Sequence, residues 1–361
     1  MLNNLKTTAL LVTLAAGLSL AGPVAQAQEK LKVGFVYVSP IGDAGWTFQH
    51  ERGRQQMLAA LGERVAASIV ENVPEGQGAE RVIRELAASG HRLIFTTSFG
   101  YMNPTVKVAQ QFPEVIFEHA TGYKRSRNLG TYNARFYEGR YLAGLVAGKL
   151  SKSHTAGYVG AFPIPEVVMG INAFTLGMRA VDPQAQVKVI WVNAWFDPGK
   201  EREAAQTLLA QGADVLTHHT DSTAVVQAAE EQGRYAIAYH SDMQKYAPKA
   251  QLTAVTHNWG EFYTAIAQEV LEGRWTARDE WLGIKAGVIR LAPFSDAVPQ
   301  AVRDLVQAKE AAIKDGTFHP FQGPVKDQEG RVRIAEGSTI ADEELLKMDW
   351  YVEGVQGKLP K

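Results

Sequence analysis

The 361-residue chain has no cysteine at all. Disulfides, thiolate nucleophiles and cysteine-ligated metals are therefore excluded. So is a bacterial lipid anchor, which needs a cysteine just after the export signal. An excess of one charge is also missing: 37 basic residues face 38 acidic ones, for a formal net charge of −1. Nothing electrostatic then calls for nucleic acid or an anionic membrane as partner. Enzyme signatures are scarce too. There is no Gly-x-Ser-x-Gly elbow, no P-loop, no Gly-x-Gly-x-x-Gly after a strand and no His-Glu-x-x-His. His218-His219 with Asp221 hints at a metal, but neighbours on a strand point to opposite faces. Neither a metal nor a cofactor is expected.

Long apolar runs are confined to the N-terminus. Lys6 gives a positive flank, Thr8 to Ala21 an apolar stretch, and Ala25-Gln26-Ala27 a small-residue cleavage pattern. The stretch is too short to span a bilayer. We expect an export signal over residues 1–27, cleaved after Ala27, and a mature protein free in the periplasm without membrane insertion.

The remainder exceeds the usual size of a single core and is expected to divide. Gly34 matches Gly157, Asn72 matches Asn193, Gly90 matches Gly212 and His119 matches His240, in order and at a nearly constant displacement. In the first copy, strands are predicted over 33–38, 68–73, 93–97 and 115–119. Helices are predicted over 48–61, 80–88 and 104–111. Strand alternating with helix reads as a doubly wound parallel sheet. Helices are also expected over 138–150 and 261–272, and one more strand over 281–291. The expected division is residues 28–150 plus 256–318 as one lobe and 151–255 as the other, with 319–361 as a surface tail.

Ligands of open α/β sheets bind beyond the carboxyl ends of the strands. That rule selects Asp43, Trp46, Thr47, Phe99, Glu118 and His119 in the first copy. In the second it selects Phe162, Trp195, His219, Asp221 and Asp242. Aromatic faces stack on planar rings at about 1–3 kcal/mol per base, and carboxylates accept from ring or exocyclic N–H groups. The combination suits a flat, neutral ligand bearing N–H groups. Duller roles compete: Trp46 would also serve as core, and Asp43 and Asp221 as turn or helix-cap residues. Trp195 stands where the first copy has Val73, so the copies diverge there.

Several segments taken in order carry a family resemblance: VGFVYVSPIGDAGWTFQHERGR, YEGRYLAGLVAGKLSK, Asp-Pro-Gly-Lys after Trp195, GADVL, AYHSDM and LGIKAGVIRL. They resemble the basic membrane protein family of ABC-importer substrate-binding proteins, which includes purine nucleoside receptors. The resemblance runs from Lys32 to Leu291. It implies a type I periplasmic-binding-protein fold, with two α/β lobes joined by three crossings and a ligand cleft between them. It further implies a non-catalytic monomer that hands a purine to an inner-membrane ABC permease.

By the same resemblance Trp46 and Trp195 sandwich the ring, Asp242 contacts the ligand and Asp43 matches an acidic position. Asp221 would join them in reading the N–H edge, with Phe99 and Trp259 shaping the pocket. Thr47 replaces an asparagine of the nucleoside receptors, and His257 stands where they carry a ribose-binding lysine. Those departures favour a free nucleobase such as adenine. The open alternatives are a nucleoside or sugar receptor, or a nucleoside-processing enzyme.

Overall fold

The computed structural model describes residues 29–360; the expected export signal over 1–27 lies outside the described residues. The first copy supplies β1 (Leu31–Val36), β2 (Val65–Val70), β3 (Leu93–Thr96), β4 (Ile116–Ala120) and β5 (Leu129–Ala134). These strands are parallel and stand in the order β5-β4-β3-β1-β2. The second copy repeats the arrangement with β6 (Thr155–Gly160), β7 (Gln186–Trp191), β8 (Val215–His219), β9 (Tyr235–His240) and β10 (Gln251–His257), in the order β10-β9-β8-β6-β7. The two halves thus share one strand permutation. β3 and β8 are buried along their whole length, as expected of parallel strands covered on both faces.

Helices α1 (Trp46–Leu61), α2 (Gln77–Ala88) and α3 (Met102–Gln111) connect the first sheet, and α5 (Pro165–Val181), α6 (Pro198–Ala210) and α7 (Ala224–Glu231) the second. α2 shows the sequence logic plainly. It buries Ala79, Val82, Ile83, Leu86 and Ala87, one stripe at helical spacing. Among the described residues, no helix is long and apolar enough to cross a membrane.

The chain passes between the lobes three times, and the crossings shift the expected boundaries. α4 (Phe136–Leu150) leaves β5 of the first sheet but packs on α5 of the second lobe. Twelve of its 15 residues are buried, so no single apolar face marked which lobe it would join. After β10, helix α8 (Gly260–Leu271) returns to pack on α1. The strand expected over 281–291 is in fact two. β11 (Asp279–Leu282) pairs parallel to β5, whereas β12 (Ile289–Leu291) pairs antiparallel to β10 in the other sheet. The third crossing lies between them, because a turn after Gly283 breaks the run. α9 (Gln300–Asp315) lies on α4, so it also belongs with the second lobe and not the first.

The segment expected as a surface tail is more deeply engaged than that. Phe321, Leu345, Tyr351, Val352 and Val355 enter the main core. A short hairpin, β13 (Val325–Lys326) with β14 (Val332–Ile334), precedes the single-turn helix α10 (Asp342–Leu345). β15 (Val355–Gln356) then pairs parallel to β7 and forms the edge of the second sheet.

α4 and α5 approach until backbone meets backbone at Gly144, where a Cβ would overlap the carbonyl oxygen of Phe174. A carbonyl in a helix has nowhere to retreat. Gly144→Ala is expected to destabilise the fold by about 1–3 kcal/mol through overpacking. A urea denaturation curve checks this, with a lower midpoint at unchanged slope; an unmoved midpoint would mean that the helices have room.

Candidate ligand site between the lobes

The carboxyl ends of both sheets face one another across a cleft. Within it lies a small cavity of about 30 Å³ lined by Val38, Trp46, Ser98, Phe99 and Thr121 from one side, and Ile164, Glu166, Trp195, His219, Thr220, Asp221 and His240 from the other. Of the candidates read from the sequence, Trp46, Trp195, Phe99, His219 and Asp221 meet at this cavity.

Trp46 opens α1 directly after Gly45. Its indole Nε1 donates to the Thr97 carbonyl at 2.7 Å. Its ring is met edge-on by His50 at 4.3 Å and His240 at 5.4 Å between centroids. Trp195 is half-buried and packs against Phe162 at 5.0 Å. Its Nε1 donates at 3.2 Å to Glu75, which also accepts from Ser98 and from the Gly100 N–H. Glu75 belongs to the first lobe, so the indole is steered from across the cleft.

Asp221 is the main bridge. From the second lobe its carboxylate accepts hydrogen bonds from the Trp46 backbone N–H and the Ser39 hydroxyl of the first. Gly45 has φ of 98°, and any Cβ there would overlap the Asp221 carboxyl. The Gly45 N–H donates to Ser241 Oγ at 2.7 Å, again across the cleft. Asp221 N–H donates to the Trp195 carbonyl at 2.8 Å, which ties together the two ligand-facing loops of the second lobe.

Four expected contacts lie elsewhere. Asp242 is exposed and turned away. Its Oδ1 accepts from Gln251 Nε2 at 2.7 Å and from the Gln244 N–H at 3.0 Å, closing a local turn. Asp43 is exposed at the rim and pairs with Lys245 and Tyr246 of the opposite lobe. Thr47 is buried and shares a 2.7 Å hydrogen bond with Ser39. Trp259 is fully buried, with its indole N–H on His257 Nδ1 at 2.6 Å. None of the four lines the cavity.

Sequence reasoning passed over Glu166, and named His240 only as the repeat partner of His119, not as a ligand residue. Glu166 sits in the first turn of α5, where an acid reads as a dipole-complementing surface residue. Instead it points inward, accepts from Asn133 Nδ2 of the first lobe at 3.0 Å and lies 3.6 Å from His219 Nε2. His240 ends β9 at φ 69°, a conformation costly for a non-glycine residue and typical of ligand sites. An unusual φ leaves no mark on local composition, so no signal was available.

Burial governs the electrostatics. Desolvation pushes the carboxyls of Glu166 and Asp221 up to about 7, against the hydrogen bonds each accepts. The same cause holds His50, His219 and His240 well below the usual histidine range, His119 near about 4, and His218 and His257 near about 3. Among the described residues no group of three or more His, Asp or Glu is placed to hold a metal ion. The cavity therefore offers aromatic faces, neutral imidazoles and two carboxyls that ionise near neutrality.

These shifts fix the sign of a pH dependence. A histidine whose folded value lies below the unfolded 6.5 stabilises the fold above that pH. Its contribution is lost as pH falls from about 6.5 toward about 4 for His119 and about 3 for His218 and His257. Glu166 and Asp221 act in the opposite sense, because the folded chain retains their protons between about 4 and 7. Ring resonances of His50, His119, His218, His219, His240 and His257 are accordingly expected to stay at neutral-imidazole positions from pH 8 to 5.5 in NMR. A titration midpoint above 6 for any of them would contradict their burial as neutral groups.

Comparison with known proteins converges on one family. Residues 30–319 match the family described as ABC transporter substrate-binding protein, PnrA-like. A purine-binding protein of Brucella abortus is 52% identical over 352 residues, covering 98% of this chain and 100% of its own. An ABC-transporter protein of Haloferax volcanii named for glucose binding, TsgA13, is 39% identical over 92% of this chain and 82% of its own. Among solved structures, an ABC solute-binding protein of Aeropyrum pernix superposes with a TM-score of 0.70 at 18% identity, over 82% of this chain and 93% of that one. Two parallel α/β lobes closing on a shared cavity, together with this match over most of the sequence, place the chain in the PnrA-like family of ABC transporter substrate-binding proteins.

Proposed function

We propose that the protein is a periplasmic receptor that closes its lobes over a purine, most favourably a free nucleobase such as adenine, and presents it to an inner-membrane ABC permease. One observation carries this reading. Trp46, Trp195 and Phe99 wall a single small cavity together with the carboxyls of Glu166 and Asp221. Flat aromatic walls hold a planar ring by stacking. Buried carboxyls take up N–H groups that would otherwise lose their water. The 52% identity to a purine-binding protein supports the same ligand class.

Preference for the base over the nucleoside rests on what is already engaged. His257 occupies the position at which the resemblance sets a ribose-binding lysine. Here it is 2% exposed and hydrogen-bonded to Trp259 and His240 on its two nitrogens. Asp43 and Asp242 are committed to other partners. Ribose hydroxyls would find few free acceptors. Closure follows from binding, because a ligand touching both lobes favours the state in which they meet.

Tryptophan fluorescence titration tests this reading. Adenine is expected to give saturable quenching, adenosine at least tenfold weaker binding, and glucose no response. Trp195→Ala is expected to weaken adenine binding about tenfold to a hundredfold, in line with about 1–3 kcal/mol for a lost stack, with circular dichroism unchanged. Saturable binding of glucose but not adenine would overturn the ligand class. Release of free base from adenosine would overturn a pure binding role.

A further inference from the structure

Behind the cavity runs a chain of hydrogen bonds whose direction is set at its far end. An indole N–H can only donate. Trp259 Nε1 donates to His257 Nδ1 at 2.6 Å, so that nitrogen carries no proton. In a neutral ring the proton then sits on Nε2. His257 Nε2 lies 3.1 Å from His240 Nδ1, which must therefore accept. The His240 proton is left on Nε2, and His240 is a cavity-lining residue. Among the described residues that Nε2 meets no hydrogen-bond partner, and it is not one of the polar atoms sealed in without one. Neither ring can take a second proton cheaply, because burial holds both well below the usual histidine range.

The rings are also fixed in place. His257 is packed between Trp46 at 5.2 Å, Phe136 at 5.6 Å and Trp259 at 5.6 Å. His240 is held against Tyr239 at 3.9 Å and edge-on to Trp46 at 5.4 Å. Its backbone φ of 69° aims the ring from the end of β9. Neither histidine needs to move for the cavity to present a donor.

We infer that Trp259 and His257 are positioning residues that lock His240 as a permanent N–H donor, and that His240 Nε2 reads an unprotonated ring nitrogen of the bound purine. The inference rests on the purine reading above for its ligand, while the tautomer itself stands on the protein alone. A fixed donor beside two carboxyls matches a heterocycle that places a ring acceptor near N–H groups, as aminopurines do. A ligand presenting N–H or C–H at that point leaves a buried donor unpaired, which is costly.

Two measurements test it on the unmodified protein. First, 15N NMR of the imidazoles should find His240 as the Nε2–H tautomer with or without ligand; an Nδ1–H His240 would overturn the relay. Second, 1-deaza-, 3-deaza- and 7-deazaadenine each replace one ring nitrogen with C–H. One of the three is expected to bind at least tenfold more weakly than adenine. If all three bind like adenine, no ring nitrogen is read and the inference fails.

Trp259→Phe removes the anchoring N–H. It should weaken adenine fivefold or more, release His240 into a mixture of tautomers and leave the disfavoured deaza analogue unaffected. Equal weakening of every analogue would assign Trp259 a packing role only. Failure of adenine to bind the native protein would overturn the proposed ligand, and the NMR result would still decide the relay.

Discussion

The closed arrangement depends on one carboxylate reaching across the cleft. α1 begins at Trp46 with no side-chain cap of its own, and the first N–H groups of a helix need acceptors from outside it. Asp221 supplies one from the opposite lobe and also takes the Ser39 hydroxyl. The positive end of the helix dipole favours a negative group at that point. Desolvation opposes it and pushes the carboxyl up to about 7. The hydrogen bonds from Ser39 and the Trp46 N–H hold the bridge against that cost. Trp46 is placed by that contact, and Trp195 by the backbone bond from Asp221 to its carbonyl. The two indoles are consequently set by the same event.

The second lobe manages an unusual interior. Arg140 is completely buried. Its guanidinium lies over the Tyr239 ring at 3.4 Å and the Tyr158 ring at 5.1 Å, and donates to Thr217 Oγ1 at 3.0 Å and to the His218 carbonyl at 2.6 Å. Aromatic faces and neutral acceptors stand in for a carboxylate partner. After burial itself, this cation is a further reason that His218 and His219 stay neutral. Together these groups give a wall that is polar yet carries little free charge, which suits an uncharged ligand.

The doubly wound lobes were legible because parallel strands buried on both faces leave short continuous apolar runs, and because the duplication kept its spacing. Asn72 and Asn193, paired from the sequence alone, share a left-handed backbone at φ 57° and 51°. The strand-end rule reached Trp46, Trp195, Phe99 and Asp221 because it is a rule about topology. It misplaced Asp242, since nothing local announced that Gln251 would claim its carboxylate. α4 and α9 were assigned to the wrong lobe for a related reason. A helix buried on nearly all sides, or one packed chiefly on another helix, carries no periodic hint of which sheet it serves. His240 and His257 looked like strand ends, and their roles emerge only when the two strands and Trp259 are brought together.

The short strand near the end of the chain bears on how the margins of the second sheet are closed. β15 occupies the outer flank of β7, and β12 runs antiparallel along the opposite flank at β10. An unguarded sheet margin offers a row of unpaired amides to any neighbouring chain. Here the polypeptide turns back and supplies its own selvedge on both sides, the one at β7 from residues beyond the last helix. Loss of those residues would expose the β7 margin and also strip Tyr351, Val352 and Val355 from the core. The terminal segment thus does two things at once, closing a sheet margin and completing the core behind it.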